Sequence, residues 1–153
     1  MSSPISLAVA ALLLLASSDA LAQKAADEPA LALAFTDAQL KWLGCPSFMP
    51  AGCEIAVLHG DPAKANADIL IRVPADSTIP HHWHTSAERM VLLSGQLQVT
   101  YDGQETVALW PGHYAYGPAK RPHHAYCSKG SACVLFIAFE SPVDAVPSAS
   151  PGK

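Results

Sequence analysis

The run His81-His82-Trp83-His84-Thr85-Ser86-Ala87-Glu88 decides how this chain is read. Successive side chains of an extended strand point to opposite faces, so His82 and His84 share a face and Trp83 takes the other. Glu88 has the same parity, and it closes on the same point provided the chain stays extended or bends gently. Neutral imidazole and carboxylate are good ligands for a divalent first-row metal. One short segment therefore supplies three candidate ligands.

Working outward, a hairpin turn is expected at Gly95. Further on comes Gly112-His113-Tyr114-Ala115-Tyr116-Gly117-Pro118-Ala119-Lys120-Arg121-Pro122-His123. The pair of segments resembles the two motifs of the cupin superfamily. The first, H-x-H-x3-E-x6-G, is met by His82, His84, Glu88 and Gly95. The second, G-x5-P-x-G-x2-H-x3-N, is met at Gly112, Pro118 and His123. Three positions depart from the pattern: Asp76 stands for a leading glycine, Lys120 for the glycine after the proline, and Cys127 for the terminal asparagine. These are turn and strand-edge positions, so they bear on loop geometry and not on the ligands. The resemblance covers roughly residues 66–140 and implies one metal ion held by His82, His84, Glu88 and His123.

The fold class follows without the resemblance. Glu54–His59, 69–73, 79–88, 89–93, 96–101, 105–109, 114–117, 123–127 and 132–139 read as short strands cut by Gly and Pro signals. Leu97, Val99 and Tyr101 alternate with Gln96, Gln98 and Thr100, the pattern of a half-buried strand, and Asp102-Gly103 is a tight-turn dipeptide. A short helical turn is expected at Thr36-Asp37-Ala38-Gln39, ended by Gly44-Cys45-Pro46. With no long amphipathic helix the chain is all-β, a sandwich or barrel. The resemblance narrows this to a single jelly-roll barrel with the metal in its open end and a short N-terminal arm. It also implies a homodimer formed through edge strands, to which the apolar strand Val134–Phe139 is suited.

The chain has 153 residues, 50% hydrophobic and 14% charged, enough for one compact domain. Leu7–Ala16 is an apolar run followed by Ala20-Leu21-Ala22, which reads as a signal peptide over residues 1–22 with Gln23 as the mature N-terminus. Residues 23–53 read as an N-terminal arm and disulfide loop, 54–141 as the barrel domain, and 142–153 as a disordered tail rich in Pro, Ser and Ala. Export to a secreted or periplasmic location sets an oxidising context for the four cysteines. Of three possible pairings, local closure makes 45–53 and 127–133 the simplest. The nine Lys and Arg are scattered, so nothing marks a nucleic-acid surface, and no second apolar segment is long enough to remain in a membrane after signal cleavage.

Three neutral imidazoles and one carboxylate around a divalent ion (Fe, Mn, Zn or Ni) give a net charge of +1, which favours a small-molecule anionic substrate. His81 and His124 have the wrong parity for ligands, and His113 falls in a turn. Met90, Leu92, Leu97, Val99 and Tyr101 share the inward face with Glu88. Any of Tyr101, Tyr114, Tyr116 and Tyr126 can bring a phenol to the metal. Arg72 either points into the barrel or, as the better reading, stays at an exposed edge. Two functions fit: a dioxygenase-type enzyme, isomerase or lyase chemistry included, with Glu88 as catalytic base as well as ligand, or a non-catalytic metal or small-molecule binding module of the cell envelope.

Overall fold

A computed structural model describes residues 29–149, so the expected signal peptide and the last four residues of the tail lie outside the described residues. Residues 29–33 carry no regular structure, and every strand falls in the unit that begins at Ala34. Eleven strands follow: β1 (Leu43–Gly44), β2 (Glu54–His59), β3 (Ala67–Val73), β4 (Ser77–Trp83), β5 (Glu88–Ser94), β6 (Leu97–Tyr101), β7 (Val107–Leu109), β8 (Tyr114–Gly117), β9 (His123–Cys127), β10 (Cys133–Phe139) and β11 (Val146–Pro147). They form two antiparallel sheets, one in the order β1-β2-β3-β10-β5-β8 and the other β11-β4-β9-β6-β7. This is the all-β jelly roll that the strand pattern implied.

The core lies between the sheets because the inward positions of each strand are apolar at period two. Ile69, Ile71 and Val73 of β3 meet Met90 and Leu92 of β5, with Leu135 and Ile137 between them on β10. Leu97, Val99, Ala125 and Leu109 face them from the second sheet. A smaller apolar cluster on the outer face, around Ala56, Leu70 and Val134, is covered by Leu40 and Trp42. Arg72 belongs to that outer face. It pairs with Glu54 and stacks over the Trp42 ring at 4.3 Å, so it does not enter the barrel.

Four expectations need correction. The stretch 79–88 is not one strand: β4 ends at Trp83, the chain turns, and Glu88 opens β5 in the opposite sheet. The strand Val134–Phe139 is not an edge, since β10 is hydrogen-bonded to β3 on one side and β5 on the other. It therefore has no free backbone for a second copy, and the exposed edge aromatics are Tyr114 and Tyr116 on β8. Residues 36–39 form successive turns rather than helix, with the Asp37 side chain accepting the Gln39 N–H at 2.9 Å. The tail beyond Pro142 is not disordered through residue 149: β11 pairs with β4, and side chains of the tail are fastened to the barrel. Composition hid this because the tail is held by a few specific polar contacts, not by an apolar periodicity.

Both disulfides close as the local pairing suggested, Cys45–Cys53 and Cys127–Cys133. Cys127, where the motif has asparagine, is thus tied into the β9–β10 hairpin. The two departures from glycine keep the backbone that glycine would adopt: Asp76 has φ 58° and Lys120 φ 60°. The left-handed region is unfavourable for residues with a Cβ. At Asp76 the side chain helps to hold the turn by accepting the Tyr126 hydroxyl at 2.5 Å.

Candidate metal centre

A bulge in β4 builds the site. Ile79 lies opposite Ala125 and His82 opposite His123, so β4 spends one residue more than β9 over this interval. Without the bulge Ile79 and His82 would face opposite sides. With it, Ile79 packs in the core and His82 turns into the same interior. Pro80 sits in the irregularity, where its missing N–H leaves no ladder bond unmade. Its carbonyl accepts the His82 Nδ1–H at 2.7 Å.

His82, His84 and His123 are buried, and their ligand nitrogens all lie within 4.8 Å of one another. Each Nδ1 faces a backbone carbonyl: Pro80 for His82, Asp144 for His84, and Arg121 (3.2 Å) for His123. A carbonyl only accepts, so each Nδ1 must carry the proton. Every Nε2 is then left with its lone pair. That arrangement orients a histidine toward a metal. The donor set fits a divalent first-row ion.

Glu88 reaches the cluster from across the barrel, at the start of β5. Its carboxylate oxygens stand 3.5 Å from His84 Nε2 and 3.4 Å from His123 Nε2, and the side chain is buried. The Tyr101 hydroxyl donates to Glu88 Oε1 at 3.2 Å. Of the four candidate tyrosines it is the one beside the cluster. Tyr114 and Tyr116 are exposed, and Tyr126 bonds Asp76 on the surface.

His81 turns away from the cluster, as its parity required, but it is not exposed. Its Nε2 is 2.8 Å from Asp102 Oδ1 and its Nδ1 2.8 Å from the Ser148 hydroxyl. His113 and His124 are exposed.

Burial pushes the imidazole of His82 down to about 4 and that of His123 down to about 3, with neighbouring imidazoles adding to the effect. Burial raises the carboxyl of Glu88, against the opposing pull of His84 and the Tyr101 bond. Burial also raises the Tyr101 phenol, and Glu88 raises it further, so it stays a neutral donor. Below about pH 6.5 an unfolded imidazole takes up a proton that native His82 and His123 refuse, so stability falls as the pH drops toward 4 and 3. Glu88 acts oppositely, holding a proton in the native state above the ordinary carboxylate value of 4.5. Two imidazoles outweigh one carboxyl, each contributing at most about 1.4 kcal/mol per pH unit. The urea midpoint of metal-free protein is therefore expected to be lower at pH 5 than at pH 7. Equal midpoints would contradict the buried, neutral state of the two histidines.

Two features of the site had no signal in the sequence. The first is Asp144 in the tail. Its carbonyl holds His84, while its carboxylate accepts the Thr85 N–H at 2.8 Å and the Thr85 hydroxyl at 2.5 Å. Replacing Asp144 by Ala removes the Thr85 clamp and loosens the carbonyl that orients His84. Metal affinity is expected to fall roughly tenfold, toward the low end for groups that orient ligands, when measured by competition with a chelating dye. An unchanged affinity would show that the strap does not orient His84. The second is the Cys45–Cys53 loop, which brings Met49 into the lining of the cavity and places the Phe48 ring 6.1 Å from His82.

The cavity beside His82, His84, His123 and Glu88 is apolar apart from them, about 50 Å³, walled by Met90, Val99, Ala125 and Leu135 among others. Among the described residues no helix is long and apolar enough to cross a membrane.

Residues 32–142 match the ChrR Cupin-like domain family. No curated protein matches the chain. Solved structures that resemble it include DMSP lyase DddQ from Ruegeria pomeroyi DSS-3, at 16% identity and TM-score 0.62 over 93% of this chain and 98% of that one. The polyketide cyclase RemF from Streptomyces resistomycificus is 16% identical with TM-score 0.63 over 79% of this chain and 88% of that one. A structure of the DMSP lyases RdDddP and RnDddQII is 14% identical with TM-score 0.63 over 72% of this chain, which spans only 63% of that protein's length. At these identities the likeness concerns the fold. The family match, covering both motif segments and the strands that carry them, makes this chain a member of the ChrR cupin-like domain family within the cupin superfamily.

Proposed function

We propose that the protein is an exported, metal-dependent enzyme of the dioxygenase type, acting on a small molecule that presents an anionic oxygen. His82, His84, His123 and Glu88 would hold the ion. The observation that carries the reading is the commitment of all three Nδ1 atoms to backbone carbonyls, which leaves three converging Nε2 lone pairs for a cation, with the buried carboxylate of Glu88 3.4–3.5 Å from two of them. A bound divalent ion supplies Lewis-acid polarisation of the substrate oxygen, and iron adds oxygen activation. Three neutral imidazoles and one carboxylate would leave a divalent ion with net charge +1, which would favour an anionic substrate oxygen.

The chain's own residues supply the rest. The apolar walls exclude water and strengthen each electrostatic contact inside. Glu88 is the ligand most easily detached, and once off the metal its buried carboxyl would take up a proton more readily than an exposed one. Tyr101 stays neutral and holds the Glu88 carboxylate in place by donating to its Oε1. This Glu88–Tyr101 pair favours a second reading, proton-transfer chemistry without oxygen, of the sort that the lyases and cyclase among the structural neighbours suggest. The two disulfides support export to an oxidising compartment.

The test is metal analysis of the protein isolated from its native compartment, followed by oxygen uptake on a panel of catechols, β-diketones and flavonols. Stoichiometric iron with oxygen uptake is expected. Turnover without oxygen uptake would move the assignment to a lyase or isomerase. Zinc or nickel without turnover, but with a thermal shift on adding a small carboxylate, would move it to a non-catalytic binding module.

A further inference from the structure

Beside the metal centre lies a second cavity of about 170 Å³, more than three times the size of the one at the ligands. The two share His84, Met49, Ile71 and Ile137 as walls. The larger one extends over β2, β3 and β10 of the first sheet toward Ile69 and Phe139, and is bordered by the Cys45–Cys53 loop on one side and by Val143–Ala145 of the tail on the other.

We propose that this chamber is the subsite for the body of the substrate, and that the substrate is a small amphiphile: one chelating or anionic oxygen head and an apolar aliphatic or branched body. The inference rests on the metal-dependent reading above and specifies its substrate class. Three observations carry it. The small cavity holds only a few water-sized volumes, at roughly 10–15 Å³ each, which is enough for a head group and not for a body. The chamber's walls contain no Lys or Arg, and the carboxylate of Asp144 is already engaged by Thr85, so a charged or strongly hydrogen-bonding body would be buried without partners. His84 borders both spaces, so a head at the metal would stand next to a body in the chamber. The roof consists of two segments outside the main strands, a loop tied by a disulfide and a strap pinned by Asp144. The chamber is thereby shaped before a ligand arrives.

The experiment is calorimetric titration of zinc-loaded protein with straight-chain hydroxamic acids from acetohydroxamic to octanohydroxamic acid, alongside the matching primary alcohols. Affinity of the hydroxamates is expected to rise roughly fourfold for each added methylene until the chamber is full, and then level off. Val143→Trp and Ala145→Leu, both in the tail just before β11, fill the chamber and are expected to flatten that rise, with acetohydroxamic acid as the head-only reference. Affinity independent of chain length in the unmodified protein would overturn the proposal. So would a rise undiminished in both variants. A failed metal reading looks different: acetohydroxamic acid would not bind, yet the alcohols would still bind more tightly as they lengthen, which supports the chamber alone.

Discussion

Replacing His84 by Ala is expected to lower metal affinity at least about 100-fold, beyond the effect of losing a group that only orients a ligand. His84 is the hub of the cluster. Its ring centroid lies 4.8 Å from that of His82 and 5.3 Å from that of His123, and its Nε2 is 3.5 Å from Glu88. It is held from two directions, by the Asp144 carbonyl at Nδ1 and by the Lys120 N–H, which donates to the His84 carbonyl at 2.7 Å. The alanine variant also strands the Asp144 carbonyl, so metal-free stability should drop by roughly 1–3 kcal/mol. His81→Ala is the control, because His81 serves Asp102 and Ser148 instead of the cluster. Metal content after gel filtration reads both variants. His84→Ala with full stoichiometry, or His81→Ala without metal, would refute the ligand assignment.

Replacing Gly117 by Ala should damage the site from a position that contributes no ligand. Gly117 on β8 lies directly opposite Glu88 on β5. A Cβ there would stand 2.5 Å from Glu88 Oε1, 2.7 Å from Glu88 Cγ and 2.7 Å from the Tyr101 hydroxyl oxygen. Those approaches are closer than van der Waals contact allows, and both side chains are buried, so the carboxylate must leave its position. The expected loss is about 10–100-fold in metal affinity, with about 1–3 kcal/mol of stability from overpacking. Gly112→Ala provides the contrast. Its φ of 89° strains any L side chain, yet nothing stands within 4 Å of the added Cβ. That variant should lose stability and keep metal affinity. If Gly117→Ala bound metal as tightly as the unmodified protein, the carboxylate of Glu88 would not be a ligand.

The strands were legible because each inward face is apolar at period two: β2, β8 and β9 match their expected limits, and Glu88, Met90 and Leu92 face inward together. His82 and His84 were legible through strand parity and His123 through the resemblance of the second motif, but the route by which Glu88 arrives was not. Parity along one strand gave the right face for the wrong reason, since Glu88 belongs to the opposite sheet. Ser86 helps to fix that crossing. Its buried hydroxyl accepts the N–H groups of Glu140 at 2.8 Å and Ser141 at 3.0 Å, contacts more than fifty residues away that no local pattern encodes. The same holds for the tail. Asp144 and Ser148 act through a few hydrogen bonds to His84, Thr85 and His81, and composition reports only that the segment is rich in Pro, Ser and Ala. The bulge at Pro80 is intermediate: proline marks an interruption in β4, but only the pairing with β9 shows that the interruption turns His82 inward.

The central claim is that His82, His84, His123 and Glu88 surround one ion. X-ray absorption at the K edge of the metal in loaded protein tests it most directly. The expected spectrum shows three imidazole nitrogens at roughly 2.0–2.1 Å with their outer-ring scattering, and oxygen completing the shell. A shell of oxygen alone, or one containing sulfur, would contradict it.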